Sequence, residues 1–135
     1  MEAIHILLAE DNEGDIVLTR EALEETKLVI RLSVVKDGKE AIDFVKREGK
    51  YNNAELPDLV LLDVNLPKKN GHEVLQYIKG DATLKRIPVV MLTTSSFKKD
   101  IDLAYDNFAN FYIIKPTDMK DFVVLADVIG KFIFF

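Results

Sequence analysis

The sequence predicts an α/β domain built on an open parallel sheet with helices on both faces. Three observations predict it. A strand-like segment followed by a helix-like segment recurs five times along the 135 residues, the pattern that right-handed βαβ crossovers produce. The runs Leu59-Val60-Leu61-Leu62 and Val89-Val90-Met91-Leu92 are continuously apolar rather than alternating, as in central parallel strands covered on both faces. Finally, polar groups fall where the apolar runs end: Glu10-Asp11, Asp63, Thr93 and Lys115. The carboxyl ends of parallel strands share one edge, where ligands bind. Groups far apart in sequence should therefore converge there.

The first strand is expected over 4–9 and its helix over 14–26. The second pair falls at 30–35 and 38–48, the helix opening at Asp37-Gly38 with Ala41, Ile42 and Val45 on one face. The third pair falls at 58–63 and 71–80, with Val74, Leu75 and Ile78 at helical spacing after Asn70-Gly71. The fourth occupies 88–93 and 98–108, and the fifth 111–114 and 118–133. Pro57 and Pro88 punctuate strand starts, where a missing N–H is tolerated. Residues 49–57 read as a surface loop. Residues 1–135 are read as one domain, with no output domain beside it.

A net charge of -5 argues against nonspecific nucleic-acid binding, which needs a basic face, and no nucleic-acid partner is expected. The chain has no cysteine, hence no disulfide, thiolate metal site or Cys nucleophile. No apolar run approaches the roughly 20 residues of a membrane-spanning helix, and no leader pattern is present. A soluble, cytoplasmic protein is expected, with no membrane partner.

If the first and third strands are neighbours, Glu10, Asp11 and Asp63 meet in a small space. Like charges that close repel unless a cation intervenes. A hard cation with oxygen ligands, Mg²⁺ above all, relieves the repulsion and leaves room for phosphate oxygens. Any one of these acids alone reads as a solvated loop residue; three on one edge with Lys115 and Thr93 do not. The Lys115 ammonium can pair with one phosphoryl oxygen and the Thr93 hydroxyl can donate to another. Asp63 can act as a nucleophile, giving an acyl phosphate.

These residues resemble the receiver domain of two-component response regulators over essentially the whole chain. Glu10-Asp11, the stretch Leu61-Leu62-Asp63-Val64-Asn65-Leu66-Pro67, Gly71, Thr93 and Lys115-Pro116 stand in that family's order and spacing. The run from Asn65 to Leu75, the 49–57 insertion and the run from Arg86 to Thr94 resemble the subgroup that serves phytochrome kinases. The resemblance implies a flavodoxin-like, CheY-like sheet of order 2-1-3-4-5 with five helices. It implies that Asp63 accepts a phosphoryl group from a partner sensor histidine kinase. It implies that Asp11, Asp63 and the Asn65 carbonyl bind Mg²⁺, with Glu10 acting through a metal-bound water. Thr93 and Lys115 would hold phosphoryl oxygens. Tyr112 would be an aromatic switch that turns inward with Thr93, and the Lys115-Pro116 bond would be cis. The chain would be a phosphoacceptor and not an enzyme.

Two departures from the family pattern stand out. Thr94 replaces a very small residue and is expected to narrow access to Asp63; the acidic pair is Glu-Asp rather than Asp-Asp. Asn65 and Ser95 flank the site, where family members tune phosphoryl lifetime. Without the resemblance, Tyr112 reads as a half-buried strand tyrosine. His5 reads as a core or edge histidine. His72 has no second histidine at metal spacing.

The last helix carries an apolar stripe of Phe122, Leu125, Ala126, Ile129 and Phe132, expected to face the sheet. Val124, Val128 and Phe135 are assigned to a second face. That face is either a partner surface or the margin of a wide core-facing stripe. The family's habit of dimerising through helix 4, strand 5 and helix 5 favours a homodimer surface that also includes Tyr112. A phosphorylation-independent scaffold is the rival reading. A haloacid-dehalogenase-type hydrolase needs a carboxylate where Asn65 stands.

Overall fold

A computed structural model describes residues 3–26, 28–115 and 123–133. Five strands form one parallel sheet: β1 Ile4–Ala9, β2 Ile30–Val35, β3 Leu59–Leu62, β4 Val89–Thr93 and β5 Phe111–Ile114. Their order is β2-β1-β3-β4-β5, the order expected of a flavodoxin-like sheet. The helices are α1 Glu13–Glu24, α2 Gly38–Lys46, α3 Gly71–Gly80, α4 Lys98–Asp106 and α5 Val123–Ile133. The 49–57 loop includes a short 3₁₀ turn at Gly49–Tyr51, and a second such turn lies at Leu84–Arg86.

Alternate strand residues supply two cores. Leu7, Ala9, Val60, Leu62, Val89 and Met91 face α2, α3 and α4 together with Phe44, Val74, Ile78 and Ala104. Ile6, Leu8, Leu59, Leu61, Val90 and Leu92 face α1 and α5 together with Ile16, Leu23, Leu125 and Ile129. Both faces of β1, β3 and β4 are therefore buried, which explains their continuous apolar runs.

The third strand is one residue shorter at each end than the expected 58–63. The Asp58 carboxylate accepts from the His5 N–H at 2.9 Å. The Asp63 N–H still donates to the Ala9 carbonyl at 3.1 Å, so the backbone reaches the edge in register.

Helix starts fix the loops at that edge. Asn12 caps α1 through the Asp15 N–H at 2.9 Å. Asp37 caps α2, and Asn70 with Glu73 forms a reciprocal capping box on α3. Two glycines permit close backbone approach. A Cβ on Gly38 would lie 1.7 Å from the Lys69 carbonyl oxygen, and one on Gly71 would lie 2.2 Å from that of Asp63. The loop leaving Asp63 is thereby pressed against the starts of α2 and α3.

Two interface assignments require correction. Val128 is buried with Leu125 and Ile129 in the α1–α5 core. It follows Leu125 by three positions and so shares its face. Tyr112 is also buried, its ring packed in the α2–α4 core. Neither side chain stands on the exposed surface assigned to it. Pro116, the start expected for the last helix, Phe122, Phe135 and the side chain of Val124 lie outside the described residues.

Candidate phosphoryl and metal site

The carboxyl edge of the sheet gathers the predicted polar groups. The Glu10 N–H donates to Val35 O at 3.0 Å, continuing β1 by one residue. The Lys115 N–H donates to Thr93 O at 2.7 Å, fixing the end of β5 beside that of β4. Glu10, Asp63, Thr93 and Lys115 are buried, whereas Asp11 is exposed at the mouth of the site.

The Lys115 ammonium donates to Asp63 Oδ2 at 3.0 Å, to Asp15 Oδ2 at 2.9 Å and to Glu10 Oε1. The Asn65 N–H donates to Asp63 Oδ1 at 3.1 Å, and the Asn12 N–H to Glu10 Oε2 at 3.1 Å. Asn65 itself is exposed. The Thr93 hydroxyl oxygen accepts from the Ser95 N–H at 3.3 Å. Thr94 points to solvent.

These contacts set the charges. Burial works to raise the Asp63 carboxyl, but the Thr93 hydroxyl, the Lys115 charge and the Asn65 N–H outweigh it. Asp63 is left below its ordinary value, an available carboxylate. Burial pushes the Glu10 carboxyl up to about 7; Lys115 and the Asn12 N–H oppose the rise, and the Asp63 charge adds to it. Burial would lower Lys115, but its bonds to Glu10 and Asp15 and the Asp63 charge hold it above its ordinary value. Lys115 is therefore a fixed cation among carboxylates.

Oxygen atoms of Glu10, Asp11 and Asp63 lie within 4.8 Å of one another. An all-oxygen set, partly exposed through Asp11, fits a hard divalent cation that keeps part of its water shell. The repulsion between Glu10 and Asp63 is what such a cation would relieve.

Sequence reasoning did not single out Asp15, although it stands four residues after Asp11 in the first turn of α1. A residue in the first turn lies beside the sheet edge from which the helix departs. It also missed the partners of His72. Its Nε2 lies 3.0 Å from Asp100 Oδ1, and Asp100 Oδ2 accepts from the Ser95 hydroxyl at 2.6 Å. The Tyr112 hydroxyl donates to Ser95 O at 2.9 Å, so its ring lies inward.

A five-stranded sheet of this order, with acidic, hydroxyl and lysine groups at its carboxyl edge, defines a receiver-type domain. The response regulator receiver domain family matches residues 6–127, and the chain belongs to that family. It is 42% identical over 127 residues to the response regulator Rcp1 of Synechocystis sp., covering 94% of this chain and 86% of Rcp1. The probable methanogenesis regulatory protein FilR2 of Methanothrix harundinacea is 44% identical over 117 residues, covering 86% and 74%. The phosphorylated cyanobacterial phytochrome response regulator RcpA superposes with a TM-score of 0.91 at 45% identity, over 98% of this chain and 95% of its own. The Mn²⁺-bound form of Rcp1 superposes with a TM-score of 0.88 at 41% identity, over 96% and 93%. Among the described residues no helix is long and apolar enough to cross a membrane.

Proposed function

We propose that this chain is a cytoplasmic phosphoacceptor switch, phosphorylated on Asp63 by a sensor histidine kinase, and is not itself an enzyme. The observation that carries the reading is the setting of Asp63. It is buried, held below its ordinary carboxylate value, 3.0 Å from the Lys115 ammonium and beside two further carboxylates.

In the transfer, one Asp63 oxygen attacks phosphorus as the bond from phosphorus to the donor imidazole nitrogen breaks. The electron pair leaves with the imidazole, and an acyl phosphate remains on Asp63. Glu10, Asp11, Asp63 and the Asn65 carbonyl would hold Mg²⁺, which when bound would neutralise charge between the carboxylates and the incoming phosphoryl group. Lys115 would exchange a carboxylate partner for a phosphoryl oxygen, and the Thr93 hydroxyl would donate to another. Those two contacts exist only in the phosphorylated chain, so they can stabilise a second conformation.

Likeness to Rcp1 and RcpA supports a phytochrome-type kinase as the donor, and the Mn²⁺-bound Rcp1 supports divalent-metal binding. Self-association through α4, β5 and α5 belongs to the same reading. Phe97, Phe108, Phe111 and Ile114 are exposed beside α4 and along β5, as a docking face requires.

Intact mass after incubation with a small phosphodonor and Mg²⁺ tests the proposal. A Mg²⁺-dependent gain of one phosphoryl group, absent in Asp63→Asn, supports it. No gain in the wild type rejects it in favour of a phosphorylation-independent scaffold.

A further inference from the structure

Helix α4 has a small apolar anchor: Ala104 is its one buried residue, and Ile101 packs partly buried against the same core. Phe97 precedes it and offers no side-chain cap. Its first turn is instead tied down through Asp100, whose two oxygens engage two different elements. Oδ1 meets His72 Nε2 at 3.0 Å, and Oδ2 accepts from the Ser95 hydroxyl at 2.6 Å. The Ser95 bond, ahead of the one to His72, holds the Asp100 carboxyl below its ordinary value. A carboxylate there can only accept, so the proton on the shared edge belongs to His72 Nε2. His72 Nδ1 is buried without a partner among the described residues, so the ring is aimed at Asp100 alone.

His72 is itself on fixed ground. It follows Gly71, whose N–H donates to Val64 O at 2.8 Å and whose Cα lies against the Asp63 carbonyl. At the other end, Ser95 presents its carbonyl to the Tyr112 hydroxyl at 2.9 Å and its N–H to Thr93 Oγ1 at 3.3 Å. A polar chain thus runs from the Asp63 loop through α4 to both groups expected to switch.

We propose that His72 and Asp100 form a latch that acts through Ser95 to hold Tyr112 inward and Thr93 in place. His72 and Asp100 are positioning residues: neither touches the phosphoryl position. The significance of the latch for signalling rests on the phosphoacceptor reading; its effect on Tyr112 does not.

The test is the side-chain rotamer of Tyr112, read by NMR in the unphosphorylated full chain. In His72→Leu and Asp100→Ala the inward-to-outward ratio should fall about tenfold, the scale of one hydrogen bond to a charged group. His72→Gln keeps an N–H donor at that reach and should restore the wild-type ratio. Ser95→Ala cuts the same link from the other end while keeping the carbonyl, and replaces either variant that fails to fold. An unchanged Tyr112 ratio in the folded variants overturns the latch. Equal loss in His72→Gln and His72→Leu also overturns it, because packing alone would then explain His72. Failure of the wild type to gain a phosphoryl group would reject the phosphoacceptor reading and leave the Tyr112 result intact.

Discussion

The Asp15 carboxylate, in the first turn of α1, accepts from the Lys115 ammonium at 2.9 Å across the mouth of the site. Lys115 therefore serves three carboxylates, and their dependence on it is unequal. Asp15 is partly exposed, with 27% of its side chain open to solvent, whereas Glu10 and Asp63 are almost fully enclosed. Asp15→Asn should cost about 1 kcal/mol, since water takes over part of the lost bond. Lys115→Met should cost about 3 kcal/mol, because it strands buried carboxylates without a counter-charge. Denaturant unfolding without metal would compare the two; equal costs would mean that Lys115 is not the charge on which the cluster depends.

Asp11 belongs to the acidic cluster but is exposed and is not among the three carboxylates that the Lys115 ammonium engages. Its charge therefore adds repulsion to the metal-free site without an offsetting ion pair there. Asp11→Ala should leave metal-free stability unchanged or slightly higher. If the cluster binds Mg²⁺ as proposed, the wild type should gain about 2.7 kcal/mol at a hundredfold excess over Kd, and the same variant should lose most of that gain. Thermal unfolding across a Mg²⁺ titration separates these effects. A variant that still gains the full wild-type shift would remove Asp11 from the metal site.

The two glycines that border the Asp63 loop make a separate demand. A methyl group on Gly38 would meet the Lys69 backbone at 1.7 Å, and one on Gly71 the Asp63 and Val64 backbones at 2.2 and 2.8 Å. The obstacles are main chain, so no rotamer change relieves them. Gly38→Ala and Gly71→Ala should each cost about 1–3 kcal/mol or more through forced backbone shifts, despite the better helix propensity of alanine. Gly80→Ala, where a Cβ meets nothing within 4 Å, is the control and should be neutral or stabilising. Similar unfolding midpoints for all three would show that the loop yields easily.

The ends of the strands carrying Glu10, Asp63, Thr93 and Lys115 were legible because each residue follows an apolar run whose length sets where the strand stops, whereas the strand order was legible only through the resemblance to receiver domains. Periodicity places backbone, and backbone places the first atoms of each side chain. It does not place the far end of a lysine, so the reach of Lys115 from the end of β5 to Asp15 on α1 was hidden. His72, Ser95 and Asp100 are individually ordinary residues on three different segments, and only the packing of α3 against α4 joins them. Val128 was misassigned because it was grouped with Val124 and Phe135, although its spacing of three from Leu125 already places it on the buried face with Leu125 and Ile129.

His5 carries the last prediction. It sits in β1 with its Nε2 2.8 Å from the Ser33 hydroxyl and its Nδ1 3.4 Å from the Leu56 carbonyl. Nδ1–H donating to the carbonyl and Nε2 accepting from the hydroxyl satisfies both in the neutral ring. Burial lowers its pKa from 6.5, helped by the Arg31 charge; the Leu56 carbonyl, Asp58 and Glu55 oppose without prevailing. A lowered folded pKa means that the unfolded chain binds the proton more readily. This contribution is fully present above 6.5 and is lost as pH falls through that value toward the folded pKa. Glu10, raised to about 7 from 4.5, acts with the opposite sign over much of the same range. The difference between wild type and His5→Gln cancels the Glu10 contribution. Unfolding free energies at pH 7.5 and pH 5 should therefore show the wild type losing more on acidification than the variant. Parallel losses would mean that His5 is protonated as readily in the fold as out of it.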